Sequence, residues 1–391
     1  EWTGNVSSDR SDTGNWDWVD GTVTDPVVVP DGNNKVVIPD VGTNPYPILD
    51  VDAGAGDLDM ASAASIDLNG FELALNGTLT DVSLPGASID ASDSGSNLFI
   101  SSADASNVPA NFISNDVANL TVENPTGASV NSTMNITEVL DVRQGTLTTN
   151  DNITMVCSFS PRGTAQIDAI DGSISGDITV EQCFPARRAF RLVSSSTTTS
   201  NSIHDNWQEG ANAYNDSSVP NNYGTHITGV EPNDPASNPP QTMDQNDGLD
   251  WQPSGNASMY SFNNSTQSWD MVLETENAST PSTPVLNAGD AYRLMIRGAR
   301  KDATDGLFDI ESNAATPTDT KLRSTGTVEQ GNFTIPNGDL SQTSTLSDNW
   351  NLIGNPYHAL VNMKLLIDGS TNLGRFYTVW DPNLGGSDPT P

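Results

Sequence analysis

The sequence predicts an all-β protein, with an N-terminal parallel β-helix (a β-solenoid) followed by a β-sandwich or jelly-roll domain. Three observations lead there. Val, Ile, Leu and Thr alternate with polar residues in runs of roughly four to eight, broken by Gly, Asn, Asp and Pro, which is the period of half-buried strands. Windows with a 3.6-residue apolar period are nearly absent, and residues 360–367 (LVNMKLLI) come closest to a helical turn. Short aliphatic triplets recur through the first half, and a small unit that cannot bury its inward face alone must stack on its neighbours.

The chain has 391 residues, more than one core usually serves, so two domains are expected. Residues 1–50 hold Trp2, Trp16 and Trp18 in a Gly/Asn/Asp-rich setting and read as a cap over the open apolar end of a solenoid. Residues 51–185 carry the repeat. Asn119-Leu120-Thr121, Asn135-Ile136-Thr137, Asn152-Ile153-Thr154 and Asp177-Ile178-Thr179 are one motif four times, and they are expected to lie on one another. Gly77-Thr78-Leu79-Thr80 and Gly145-Thr146-Leu147-Thr148 are a second recurring piece. An antiparallel sandwich of meandering strands is the competing reading of this half. Residues 186–391 form the second domain, with strands expected over 189–193, 258–262, 269–273, 291–297, 321–328, 331–335, 350–353 and 375–380. The opening at Glu1 reads as an already processed start, and the end at Pro391 suggests a natural polypeptide that continues.

Lys+Arg number 15 against 50 Asp+Glu, a formal charge of −35. Such a field disfavours nucleic acid and anionic membranes, which need cations to neutralise phosphate. It favours cations, calcium above all, because that ion takes hard oxygen ligands. Solubility alone is the plainer explanation of the charge. No apolar run approaches the roughly 20 residues of a membrane helix. The two cysteines, Cys157 and Cys183, would sit on neighbouring rungs but one position out of line, so a bridge needs a bulge. The sequence is compatible with a disulfide and with two free thiols.

Asp244, Asn246, Asp247 and Asp250 gather oxygen donors around Gly248 and form the candidate calcium loop, although the EF-hand spacing is not met. A solvated acidic loop explains them equally simply. Asp50, Asp52, Asp57 and Asp59 are a weaker second set. Trp207, Trp251, Trp269 and Trp380 are either sugar-stacking platforms or, as is more usual for tryptophan, core anchors. Arg187, Arg188 and Arg191 sit where the two halves join and are expected to pair with carboxylates across that boundary. A site for acidic polysaccharide is the alternative, and Arg293, Arg297 and Arg300 raise the same question. His204, His226 and His358 are far apart in sequence, and no HExxH, CxxC or Gly-x-Ser-x-Gly occurs. Nothing selects a catalytic pair from the 50 acids, so no catalytic residue is assigned.

Several phrases resemble those of large secreted, adhesin-like proteins exported by the type IX secretion system. They are Trp2-Thr3-Gly4 with Gly14-Asn15-Trp16, Tyr46-Pro47-Ile48, Ser175-Gly176-Asp177-Ile178-Thr179-Val180-Glu181, Pro185-Ala186-Arg187-Arg188-Ala189-Phe190-Arg191-Leu192, Asn206-Trp207-Gln208-Glu209-Gly210, Gly224-Thr225-His226-Ile227-Thr228-Gly229, Ala288-Gly289-Asp290-Ala291-Tyr292-Arg293 with Arg297-Gly298, and Asn351-Leu352-Ile353-Gly354-Asn355-Pro356-Tyr357. The resemblance implies an extracellular or cell-surface place, a β-rich stalk and a role in adhesion or surface assemblies. Such proteins usually end in a sorting domain, and none is visible here.

Together these features point to a non-enzymatic structural or adhesive protein, a module of a self-assembling surface fibre or ring, with calcium as the one cofactor suggested. Open strand edges motivate the self-association. The alternative is a carbohydrate-binding or polysaccharide-degrading β-helix protein. A groove along the solenoid lined with carboxylates, Arg and Trp would favour that alternative, and a flat Asn/Thr/Ser face would favour the structural reading.

Overall fold

The structure is a computed structural model. It describes the chain except for residues 19–27, 81–86, 102–107, 110–111, 160–162, 212–215, 217, 231–246, 251, 253–254, 277–282, 302–313, 336–339, 341–349, 371–376 and 378–391. Strands account for 39% and helices for 5%, so the protein is nearly all β. The chain divides into two compact units, Glu1–Thr179 and Val180–Pro391. Among the described residues no cysteine is free: Cys157 and Cys183 are both disulfide-bonded.

The first unit is a β-solenoid of about six turns. Its strands pair in parallel, with bulges at Ile136/Val139, Val142/Gln144 and Ile89/Ala91, and along the regular stretches one side chain per turn falls on the same spot as its neighbour. One ladder runs Ala53, Leu73, Leu98, Leu120, Leu140, Ile167. A second, two residues on, runs Ala55, Leu75, Ile100, Val122, Val142. Every member of both is buried. The positions between them, such as Ala74, Phe99 and Thr121, face the other way, as the two-residue period of a strand requires. Two smaller parallel sheets close the turns. Val36–Ile38, Leu58–Met60 and Leu79–Thr80 form one, and Ala128–Ser129, Thr146–Thr148 and Ser173–Ser175 the other. Each Leu, Ile or Val withdrawn from water in these stacks contributes about 1.5–3 kcal/mol before chain entropy is counted.

Polar side chains on the strands also link one turn to the next. Asn97 Nδ2 donates to Glu72 Oε2 (2.8 Å), Thr121 Oγ1 donates to Asn97 Oδ1 (3.1 Å), and Asn135 Nδ2 donates to Asp116 Oδ1 (2.8 Å). Turn-to-turn spacing is therefore fixed by the backbone and by side-chain amides together. Gly145 holds one turn where no other residue fits. Its φ is +77°, and a Cβ there would lie 1.8 Å from the Asn124 carbonyl oxygen.

The three Asn-headed triplets do not lie on one another as expected. Leu120 pairs with Leu140, not Ile136; Ile136 pairs with Val117 and Met155; and Ile153 pairs with Met134. The triplets share the parallel sheet but are displaced along it, because one strand of a turn can be long and hold two inward-facing stretches. Met134–Gln144 is such a strand, pairing with Ile153–Met155 at one end and Gln166–Ile167 at the other. Gly77-Thr78-Leu79-Thr80 and Gly145-Thr146-Leu147-Thr148 likewise fall in different sheets.

In residues 1–50, Val36–Ile38 is already a parallel rung on Leu58–Met60. Trp2 and Trp16 are buried, pack edge to face with centroids 5.1 Å apart, and donate their indole N–H groups to the carbonyls of Pro45 and Arg10.

The second unit contains a four-stranded antiparallel sheet in the order Ala189–Ser194, Ala291–Ile296, Met259–Asn263, Ser268–Met271. Thr197–Thr199 pairs antiparallel with Thr320–Val328. The core gathers Val193, Met259, Tyr292, Leu294 and Ile296 from the sheet with Ile203, Trp207, Ile227, Leu249, Leu286 and Leu322. Ile203–Trp207 is a short helix closed by a capping box: Ser202 Oγ accepts the Asp205 N–H, and the Asp205 carboxylate accepts the Ser202 N–H. Met363–Asp368 is a second, exposed helix within the apolar run 360–367 and just past it, with Asn362 as N-cap. Residues 331–335 and 350–353, expected as strands, are irregular. Side chains replace strand partners in the second: Asn264 accepts the Leu352 N–H and Gln267 accepts the Trp350 N–H, each at 2.8 Å. Residues 375–380, apart from Tyr377, lie outside the described residues.

Candidate functional site

The solenoid carries an open cleft of about 620 Å³ lined by Glu123, Asp141, Arg143, Gln144, Asp168, Ala169 and Asp171. Strand alternation builds it. Leu140 and Val142 point into the core, which turns Asp141 and Arg143 outward on the same face. Glu123 comes from the previous turn, where it pairs with Gln144, and Asp168 and Asp171 come from the next. The loop bearing these last two is pinned by the Val142 carbonyl, which accepts the N–H groups of Asp171 (3.1 Å) and Gly172 (2.9 Å). Arg143 Nε donates to Asp141 Oδ2 at 2.7 Å, Nη1 lies 3.8 Å from Glu123 Oε2, and the guanidinium stands 5.8 Å from the Phe99 ring centroid. The Asp141 hydrogen bond is the main cause that raises the Arg143 pKa, and a guanidinium stays charged in proteins in any case. One half-exposed cation among four carboxylates is an acceptor-rich, hydrated surface suited to groups that donate hydrogen bonds, such as the hydroxyls of a sugar chain.

None of these cleft residues was singled out from the sequence. A signal existed: Arg143 is the lone basic residue in 36–161, and Asp141 precedes it by two, the spacing of neighbours on one strand face.

The expected calcium loop is distributed differently. Asp244 and Asn246 lie outside the described residues. Asp247 Oδ1 accepts the Leu249 N–H (2.9 Å), and Asp250 is buried and held by Arg300 at both oxygens, 2.5 and 2.6 Å. The Asp250 oxygens are therefore committed to a guanidinium. Gln208 Nε2 (3.1 Å) and the Ile227 N–H (3.1 Å) also bond Asp250. Burial alone would push this carboxyl up, but the charges of Arg300 and His226 and these hydrogen bonds hold it below its ordinary value. In the second acidic set, Ser11 Oγ bonds Asp50, Asp52 accepts the Glu72 N–H, Asp57 accepts both donors of Thr78, and Asp59 pairs with Lys35. These acids join one turn to the next. Among the described residues no group of three or more His, Cys, Asp or Glu side chains is placed to hold a metal ion.

The arginines expected at the junction, and those that raised the same question, divide as follows. Arg191 donates to the Pro185 carbonyl at 3.1 Å and to the Arg187 carbonyl at 3.4 Å, and lies 5.6 Å from the Phe184 ring centroid. Arg187 and Arg188 are partnered. Arg297 reaches Gln252 Oε1 at 3.5 Å, and Arg300 takes Asp250. The three histidines are buried and separate: His204 Nε2 bonds the Ala211 carbonyl (2.8 Å), His358 Nδ1 bonds Ser196 Oγ (3.0 Å), and His226 lies near Asp250. Trp207 is a core anchor, 5.8 Å from Tyr292 ring to ring. Trp269 stands instead on the outer face of the four-stranded sheet beside Phe262. Trp251 and Trp380 lie outside the described residues.

Comparison with family descriptions, curated proteins and solved structures returned no match. Among the described residues no helix is long and apolar enough to cross a membrane.

Proposed function

We propose that the protein is a non-enzymatic, extracellular structural or adhesive module that self-associates into a surface fibre or ring. The observation that carries this reading is the pair of unbroken aliphatic ladders, Ala53 to Ile167 and Ala55 to Val142. They devote the inside of the solenoid to packing and leave it as a stiff support. The disulfide-bonded cysteines support an oxidising compartment. The type IX-like phrases support export to the cell surface. We include in the proposal a sandwich-like second unit, supported by Leu322 on one sheet and Leu294 on another sharing one core.

Sedimentation velocity across a wide concentration range tests the assembly. Species growing with concentration are expected, and a strict monomer at high concentration contradicts it. A second reading, carbohydrate binding, is favoured by the Arg143 cleft, since its carboxylates and Arg line a groove on the solenoid.

A further inference from the structure

The four-stranded sheet of the second unit has two unlike faces. Val193, Met259, Tyr292, Leu294 and Ile296 enter the core. The alternate positions form a ring-lined face whose register is fixed: Phe190 pairs with Met295, Leu192 and Tyr260 with Arg293, and Phe262 with Trp269. Arg293 sits amid three rings, its guanidinium carbon 4.2 Å from the Phe190 centroid, 5.6 Å from Trp269 and 6.0 Å from Tyr260. Phe190 and Tyr260 are 6.2 Å apart, and Phe262 and Trp269 are 5.0 Å apart. The face is open at its edges, where Leu192 is 44% and Met271 46% exposed.

The state of the cation selects the ligand. In a chain with 50 acids, Lys35, Arg143, Arg300, Lys321, Arg323 and Lys364 each pair with a carboxylate. Among the described residues no carboxylate, carbonyl or hydroxyl bonds Arg293, although its fork offers five N–H donors. The ring contacts hold the guanidinium in place and leave those donors for an incoming group. A planar anion meets such a fork with two parallel hydrogen bonds. The rings around it offer flat faces to the C–H side of a pyranose.

We propose that this face binds a glycan containing uronic acid. The sugar ring lies on Tyr260 or Trp269, and its carboxylate takes the Arg293 fork. The proposal deepens the adhesive part of the function proposed above, and rests on it, by naming the ligand class. Nucleic acid is disfavoured by its denser charge against a net −35. The same net charge repels a polyuronate at long range, but that repulsion is screened beyond about 8 Å at 0.15 M salt, while the contact at Arg293 is short. Affinity should therefore rise when salt is added from a low level, the opposite of a site driven by a basic patch.

The test is calorimetric titration of the whole chain with an oligogalacturonate and with the same oligosaccharide after reduction of its carboxyls to alcohols. Wild type should prefer the acid at least tenfold. Arg293→Gln should abolish that preference, chiefly by weakening the acid. Arg293→Lys should recover only part of it, and Trp269→Ala should weaken both ligands. Circular dichroism melting confirms that each variant is folded. No binding by wild type, or equal binding by wild type and folded Arg293→Gln, overturns the proposal, as does selective capture of peptides instead of the sugar. Sedimentation of the same samples separates the two claims: assembly without glycan binding removes this site alone, and glycan binding without assembly removes the fibre alone.

Discussion

Asp250 and Arg300 form a two-pronged ion pair, 2.5 and 2.6 Å, with side chains 0% and 1% exposed. The pair joins residues 50 positions apart and organises the interior of the second unit, because Gln208 and the Ile227 N–H converge on the same carboxylate. Removing one partner leaves an uncompensated buried charge. Arg300→Met should destabilise the second unit by about 3–5 kcal/mol in urea unfolding, and Asp250→Leu/Arg300→Met should recover most of that loss. A double variant as unstable as the single one would show that the pair contributes more than mutual neutralisation.

The same pair sets an acid limit. Burial favours the neutral Asp250 carboxyl, but Arg300, His226 and the hydrogen bonds outweigh it, so the folded pKa lies below the ordinary 3.8. A depressed carboxyl contributes stability in full above its unfolded pKa, and that contribution is lost as pH falls through the folded value. Unfolding followed from neutral pH downward should show a loss below about pH 4 that is smaller in Asp250→Asn. An unchanged slope in that variant would contradict the assignment.

Leu120 sits mid-ladder between Leu98 and Leu140 and is fully buried. Leu120→Ala should cost about 2–5 kcal/mol, because the neighbours above and below are held by their own hydrogen bonds and cannot close the cavity. Ser88→Ala, on an outward position paired with Ser65, should stay within about 0.5 kcal/mol. Chemical denaturation of both variants makes the comparison.

Gly145 and Gly163 have nearly the same backbone, φ +77° and +75°, but different surroundings. A Cβ at Gly163 meets nothing within 4 Å, so Gly163→Ala should cost about 1–2 kcal/mol from left-handed strain alone. Gly145→Ala adds a clash with the Asn124 carbonyl and should be clearly worse by thermal melting. Equal melting temperatures would mean that this turn is free to rearrange.

The solenoid was legible because its signal is compositional. Leu73, Leu98, Leu120 and Leu140 all sit in short polar-flanked runs, and such runs must stack. The register was not legible. Asn-Ile-Thr reads the same wherever it falls on a turn, and only the lengths of the intervening loops decide that Ile153 meets Met134 instead of Ile136. The capping box at Ser202 and Asp205 was readable, but the helix it starts spans only Ile203–Trp207, too short for a periodic signal. The cleft escaped notice because its acids come from three different turns. Asp250 looks like a metal ligand in the sequence because its partner, Arg300, is 50 positions away. Trp207 and Trp269 show the same limit. One is core and one is on an open face, and nothing in their immediate neighbours separates them.

The most direct test of the account is negative-stain electron microscopy of the purified chain at rising concentration. A stiff column that serves as a building block should give elongated or ring-shaped assemblies of regular width. A uniform field of separate single particles at every concentration would contradict it.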